Sequence, residues 1–521
     1  MSELQLAFLL LLFVVAAVGA IEEKLRTPYP IVLVIAGLLI SLVPKFPAVT
    51  LTPDLVFFVV LPPLIYAGAW LTSWREFSYN LVSILLLAIG LVFFTTFIVA
   101  YTAHWMIPLF DWRSGFLLGA VVSTTDAVAA IAIARRLGLD RRIVDIVSGE
   151  SLVNDATGLL ALEFGIAMVT GTESLSVGTG MLRFAELIAI GLATGFAIAF
   201  AIDAVSRHLD DAKVEITLSL LVPYATYIVA ERLHGSGVLA VVVCGLYLSR
   251  RSVHFFSPAV RVQVSAFWNA FTFMLNGLVF VAIGLQLRTV LAAITRYSFH
   301  RLMLHAIIFT LFLIAVRLVW IYPGAFIAHV IRTRLLRQAE SFPSGRSIFI
   351  AGWMGMRGVI ALAAALSLPA IPQRNIIVFL TFSVILGTLV LQGLSLTPLI
   401  RLLGLSSTDT TMHDEIRDAR IAMTEAALHE LEQRRSERDA FGDVYDDLAR
   451  HYSMRLAALR EEGADEHGSS VAHAERHREM SRELVQLERA TAVRLRDEGR
   501  LGDQELRELL NDLDLAESRL E

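Results

Sequence analysis

Residues 148–158 read SGESLVNDATG, inside an apolar run over 143–169 that is long enough to span a bilayer as a helix. The run carries Glu150, Asn154 and Asp155. An ionisable side chain at membrane depth is costly, and it persists where it faces a cavity or a partner. On a helix Ser151 and Asp155 are i,i+4 and share a face, while Glu150 and Asn154 share a neighbouring one. Glu150 and Asp155 fall about 140° apart around the axis. The two carboxylates therefore have different partners and different jobs.

Composition agrees with a spanning helix at this place. The 521 residues are 56% hydrophobic and 18% charged, too apolar and too weakly charged for a soluble globular protein. The fold class is an all-α polytopic membrane protein. The lone cysteine, Cys244, excludes an intrachain disulfide framework and a cysteine metal cluster. No GxxxxGK[ST] loop is present, so ATP drive from this chain is not expected. The apolar N-terminus lacks a basic leader and a clear cleavage site and reads as a retained first helix.

Roughly thirteen apolar segments follow one another. They cover 6–21, 30–42, 55–71, 81–107, 114–134, 143–169, 181–205, 214–230, 237–248, 262–285, 302–330, 348–368 and 376–403. Arginines crowd three links: Arg135, Arg136, Arg141 and Arg142; Arg250, Arg251 and Arg261; Arg332, Arg334, Arg337 and Arg346. With this count the three links share one side, which the positive-inside rule makes cytoplasmic. The expected topology is a multi-pass cell (inner) membrane protein with its N-terminus outside and its C-terminus inside. Arg288, Arg296 and Arg301 run against that rule. From about Ser406 the chain becomes dense in Glu, Asp and Arg, with Leu484, Leu487, Leu506, Leu509, Leu510 and Leu513 at helical spacing. This reads as a soluble helical cytoplasmic tail, either a regulatory or dimerising module or solvated amphipathic helices. His473 and His477 are i,i+4 in the tail; a solvated face is the plainer reading of them than a metal or pH site.

Two further segments carry breaks. Ser123-Thr124-Thr125-Asp126-Ala127 places three hydroxyls and a carboxylate in mid-span, where they compete for backbone hydrogen bonds and interrupt the helix. The alternative is a hydroxyl cluster capping its own turn. Gly352-Trp353-Met354-Gly355-Met356-Arg357-Gly358 surrounds an arginine with glycines that permit irregular backbone. An arginine at depth stays charged and needs a carboxylate partner, with Glu150 and Asp126 as candidates. Arg317 is another in-span arginine, which either pairs or snorkels to an interface. Paired interruptions in the two halves point to an inverted-repeat transporter with a site at the midplane. A carboxylate in a partly dry cavity can hold a proton or a small hard cation. Asp155, the Ser151 hydroxyl and the Thr125 carbonyl supply oxygen ligands, and Asn154 adds a polar neighbour without a second titratable charge. If proton and cation compete for Asp155, and only loaded states cross, exchange is obligatory.

These stretches resemble the monovalent cation/proton antiporter family that includes the sodium/proton exchangers, in its bacterial, electroneutral branch with the Asn-Asp motif. The matching stretches are GESLVNDATG (149–158), TTDAVAA (124–130) and GMRGVIALAAAL (355–366), with weaker ones at LPPLIYAGAW (61–70), HGSGVLAVVVCG (234–245), FWNAFTFMLNGLVFVAIGLQL (267–287) and LQGLSLTPL (391–399). The resemblance implies a homodimer of thirteen-helix protomers built from inverted repeats. It implies dimerisation-domain helices in 1–72 and 180–287, core-domain helices in 81–170 and 301–404, two broken crossing helices, and a tail over 405–521. It implies elevator-like exchange of Na+, with K+ or Li+ also open, for H+, no cofactor, and no nucleic-acid partner. Asp155 would bind the ion and the proton, with Asn154 as structural neighbour, Ser151 and Thr125 completing the cation shell, and Asp126 beside them. Glu150 would pair with Arg357, and Asp126 with Arg317. The acidic residue that many relatives carry near the end of LPPLIYAG is replaced here by Tyr66-Ala67-Gly68. The competing readings are a K+/H+ antiporter regulated by its tail, a cation channel or sensor, and an intramembrane hydrolase. The last lacks a histidine in the central segments to act as base.

Overall fold

The computed structural model describes residues 3–21, 28–43, 51–107, 109–171, 177–294, 299–338, 341–406, 410–436, 442–461, 469–498, 500, 506, 509–510, 513 and 517. The chain divides into two units, Met1–Ser407 and Thr408–Glu521. In the first, the helices run α1 Glu3–Ile21, α2 Tyr29–Ser41, α3 Leu55–Leu71, α4 Leu81–Trp105, α5 Trp112–Ser123, α6 Val128–Arg136, α7 Arg141–Thr170 and α8 Val177–Ser206. They continue as α9 Ala212–Arg232, α10 Gly237–Phe255, α11 Pro258–Leu285, α12 Phe299–Val330, α13 Gly345–Trp353, α14 Val359–Leu366 and α15 Arg374–Leu402. Among the described residues eight helices are long and apolar enough to cross a membrane, and α1 to α3 are shorter apolar helices. No named strand occurs among them.

The expected segments 114–134 and 348–368 are not continuous helices. Each is a pair of half-length helices, α5 with α6 and α13 with α14. The first break has a local cause: the Asp126 carboxylate accepts the N–H of Val128 at 2.9 Å, an Asx turn that takes the backbone out of the helical ladder. Thr124 is correspondingly extended. In the second break Gly355 and Gly358 sit where a Cβ would overlap the Arg317 guanidinium and the Asp126 carboxylate. The two breaks meet: the Asp126 N–H donates to the Met356 carbonyl at 2.9 Å in an isolated antiparallel bridge.

The helix α7 starts on Asp140, whose side chain accepts the Arg142 N–H at 2.9 Å, and stops at Gly171 in the left-handed conformation. Between these ends it packs along α5, where Gly165 and Gly158 allow Leu117 and Thr124 to approach. Small residues do the same for α2 on α11, since a Cβ on Gly37 or Gly284 would overlap the facing backbone. One apolar cluster joins the breaks, through Val121, Val122, Met354 and Met356, to α2, α11, α12 and α15. A second joins α3, α9, α10 and α11 around Tyr66 and Trp268, whose ring centroids are 5.2 Å apart.

The second unit contains α16 Thr410–Ser436, α17 Gly442–Glu461 and α18 Ser469–Asp497. α16 and α17 pack on each other and are tied by Arg460 to Glu425 at 2.6 Å. Leu459, Val485, Ala492 and Leu506 are buried, while Leu484 and Leu487 are exposed. The side chains of His473 and His477 lie outside the described residues.

Candidate functional site

The first break is laid against the middle of α7, and the polar residues of SGESLVNDATG divide between two environments. Glu150 is 1% exposed and does not line the cavity that Asp155 lines. Its carboxylate receives both terminal nitrogens of Arg317, Nη1 at 2.5 Å and Nη2 at 2.7 Å. It also accepts the Thr125 hydroxyl at 2.9 Å. The Asn154 amide in turn donates to the Thr125 hydroxyl at 2.6 Å and to the Thr125 carbonyl at 3.1 Å. A continuous chain of donors therefore runs from Asn154 through Thr125 to Glu150, anchored by a bidentate arginine. Its effect is to hold Thr125 in one non-helical position.

This corrects the expected pairing. Glu150 pairs with Arg317, not with Arg357, and Asp126 does not pair with Arg317. The reason is electrostatic. Each half-helix ends in carbonyls that lack an intrahelical partner and carry partial negative charge. Arg317 donates from Nε to the Gly352 carbonyl at 2.8 Å and from Nη2 to the Ala351 carbonyl at 3.3 Å, in the last turn of α13. Arg357 donates from Nε to the Val122 carbonyl at 2.7 Å, in the last turn of α5. It also donates from Nη1 to the Gly355 carbonyl at 3.4 Å, and its backbone N–H donates to the Thr388 hydroxyl at 3.1 Å. Each broken helix thus has an arginine on the negative end of its first half. Asp126 takes the opposite role, bonded to the N-terminus of α6 through Val128 and packed against Gly358 at the N-terminus of α14. Neither Thr388 nor these carbonyl partners could be foreseen, because a hydroxyl or a backbone oxygen in a helix carries no distinguishing sequence signal.

On the other side of Thr125 lies a cavity of about 310 Å³. Asp155, Ser151, Thr125 and Asp126 line it, together with Thr124, Ser148 and Arg135. Asn154, Glu150, Arg317 and Arg357 do not. Asp155 is 7% exposed, and among the described residues no group donates a hydrogen bond to its carboxylate. The Ser151 hydroxyl donates to the Thr125 carbonyl at 3.2 Å and accepts the Ala127 N–H at 3.4 Å. The Thr125 carbonyl, expected as a cation ligand, is thus occupied by Ser151 and Asn154. A cation beside Asp155 would have to take that oxygen in competition with them. The remaining wall comes from α3, through Leu64, Gly68 and their neighbours, and from α11, through Thr272, Asn276 and Phe280. Gly68 faces this cavity, whereas Tyr66 packs away from it on Trp268. Thr272 and Asn276 are site residues that the sequence reading missed, although a polar pair at i,i+4 in the apolar stretch FTFMLNGLVF is a visible signal.

Among the described residues no group of three or more His, Cys, Asp or Glu side chains is placed to hold a metal ion. The site is instead a pair of carboxylates, Asp155 and Asp126, in a largely apolar cavity, with hydroxyl and carbonyl oxygens close by. Such a group suits a monovalent cation or a proton.

The sequence profile of the family described as "Sodium/hydrogen exchanger, transmembrane" matches residues 9–402. An uncharacterised Na+/H+ exchanger of Mycobacterium tuberculosis is 31% identical over 98% of this chain and 96% of its own length. A sodium, potassium, lithium and rubidium/H+ antiporter of Bacillus pumilus is 31% identical over 88% of this chain and 70% of its own. In fold, the chain is similar to the sodium proton antiporter of Methanocaldococcus jannaschii, with a TM-score of 0.63, 20% identity, and coverage of 78% of this chain and 100% of the other.

Proposed function

The chain belongs to the sodium/hydrogen exchanger family, and from that premise we propose that it exchanges Na+ for H+ across the cell membrane by competition of the two for Asp155. The observation that carries this reading is Asp155 itself: a cavity-lining carboxylate with no hydrogen-bond donor among the described residues, one helical turn from Ser151 and beside Thr125. Glu150 is neutralised by Arg317 and is not available for the task. Either a proton or a small cation completes Asp155. A cation draws oxygen from Ser151 and from the Thr125 carbonyl, displacing the Ser151 hydroxyl from its present bond. Asn154 keeps Thr125 in place in both states.

The charge balance supports one cation per proton. Glu150 is taken up by Arg317, which leaves Asp155 to hold one Na+ or one H+ at a time. The two ions add the same single charge, so the two loaded forms carry equal net charge.

The cavity is lined on one side by α3 and α11 and on the other by the breaks and α7. This supports an elevator in which a core built from 81–170 and 301–404 carries Asp155 past a fixed wall from 1–72 and 180–287. In this reading the spans number thirteen, each broken pair counting as one crossing helix, and the fixed wall also makes the homodimer contact. The arginine-rich links are cytoplasmic, with the N-terminus outside and the C-terminal unit inside. The chain performs transport rather than catalysis and needs no cofactor; Na+ and H+ are its substrates. A second reading, in which K+ is also carried, is favoured by the Bacillus pumilus relative's name.

The test is proton movement in proteoliposomes on addition of Na+, Li+ or K+. The native chain is expected to move protons and Asp155→Asn to be silent. Equal exchange by both proteins would show that Asp155 is not the carrier, and the order of cations gives the preference.

A further inference from the structure

We propose that Asn276, with Thr272 one turn before it, is a second, uncharged contact for the cation, on the wall of the cavity that does not carry Asp155, and sets the apparent affinity for it. The inference rests on the exchange reading above and adds residues to it.

Three observations carry it. First, α3 and α11 face the cavity mostly with apolar side chains, among them Val56, Leu64, Val279 and Phe280. Among the described residues that line the cavity from these two helices, Thr272 and Asn276 supply the polar side chains. Second, Asn276 is 8% exposed and lies in an otherwise apolar stretch of α11, where a side-chain amide is costly unless it has polar company. No hydrogen bond of its amide to another described residue is present, which leaves the cavity as its outlet. Third, this wall holds no carboxylate: LPPLIYAG lines the cavity with Leu61, Leu64, Ile65 and Gly68, and a side chain at Gly68 would press on Leu152, its Cβ only 3.1 Å from Cδ2.

A cation moving through this cavity toward Asp155 loses water. The carbonyl oxygen of Asn276 and the hydroxyl of Thr272 replace part of that shell on the side away from Asp155. Being neutral, they do so without holding the ion at a second charge. Asn276 is thus a specificity- and affinity-determining residue, while the exchange step itself stays with Asp155.

The experiment measures Na+-, Li+- and K+-driven proton movement in proteoliposomes for the native chain, Asn276→Ala, Asn276→Asp, Thr272→Val and Asp155→Asn. Loss of one neutral oxygen ligand is expected to raise the apparent KM for Na+ about fivefold in Asn276→Ala, with the maximal rate within about twofold of native. Asn276→Asp is expected to lower KM below native at alkaline pH, since a carboxylate there attracts the ion. Thr272→Val is expected to shift KM in the same direction as Asn276→Ala and by less. If the native chain exchanges, Asp155→Asn is silent and Asn276→Ala keeps the native KM, the inference is wrong and the exchange reading stands. Equal KM values in Asn276→Asp and Asn276→Ala, or a loss of rate with unchanged KM, would also overturn it, since a packing role predicts those results. If Asn276→Ala fails to fold, the comparison of Asn276→Asp with native decides. A native chain that exchanges nothing removes the exchange reading first.

Discussion

Glu150 and Arg317 are each 1% exposed and separated by 167 residues of sequence, yet their side chains make two short hydrogen bonds. Removing either partner leaves a buried charge without its counterion, a loss of about 3–5 kcal/mol in comparable cases. Glu150→Gln keeps an acceptor for the Thr125 hydroxyl but not for two guanidinium nitrogens. Arg317→Met leaves the carboxylate alone and frees the last carbonyls of α13. Each single variant is expected to lower the unfolding temperature of the detergent-solubilised protein. The double variant is expected to recover part of the loss, giving a coupling well away from additivity. Strictly additive losses, read by thermal-shift fluorimetry, would refute the ion pair as a unit. At this scale much of the site is legible in the sequence. Asp155, Ser151, Thr125 and Asp126 stand out because a carboxylate and hydroxyls are anomalous in an apolar run, and they do line one cavity. Which arginine meets Glu150 is not legible. Arg317 and Arg357 are both in-span cations, and the choice between them is made by the carbonyls of Gly352 and Val122, which no residue letter reveals.

The two broken helices depend on glycine for a steric reason. A methyl group on Gly358 would enter the space of the Asp126 carboxylate, and one on Gly355 that of the Arg317 guanidinium. Both neighbours are hydrogen-bonded, Arg317 buried and Asp126 half-buried, so neither can yield cheaply. Gly345, at the start of α13, has nothing within 4 Å of the place a methyl group would take and serves as the control. Gly355→Ala and Gly358→Ala are expected to reduce exchange at least tenfold, the change produced by about 1.4 kcal/mol, while Gly345→Ala exchanges at the native rate. Native exchange by Gly358→Ala, measured at equal protein incorporation, would mean that the approach of the two breaks is not needed for function. The positions of both breaks can be read from residue types: hydroxyls with Asp126 in one, glycines in the other. Their meeting cannot, because the bridge from Asp126 to Met356 is made by backbone atoms 230 residues apart in the chain.

For the molecule as a whole, the long helices are legible because spanning length and apolarity are properties of a window of sequence, and the change of composition near Ser406 coincides with the division of the chain at Ser407. The proposed partition of the first unit into a moving core and a fixed wall is a matter of contacts and motion, which a linear pattern does not encode. One consequence of the proposed partition is electrical. Na+ and H+ add the same single charge at Asp155, so a membrane potential does no net work over a cycle that exchanges one for the other; one uncompensated charge per cycle would instead feel about 2.3 kcal/mol per 100 mV. Na+-driven proton movement in proteoliposomes is therefore expected to keep its rate when a K+ diffusion potential of either sign is imposed with valinomycin, at external K+ low enough not to compete at the site. A rate that rises with one polarity and falls with the other would show that more than one proton moves per Na+. A second group would then have to titrate during the cycle, and Asp126, the other carboxylate lining the cavity, is the residue to substitute next.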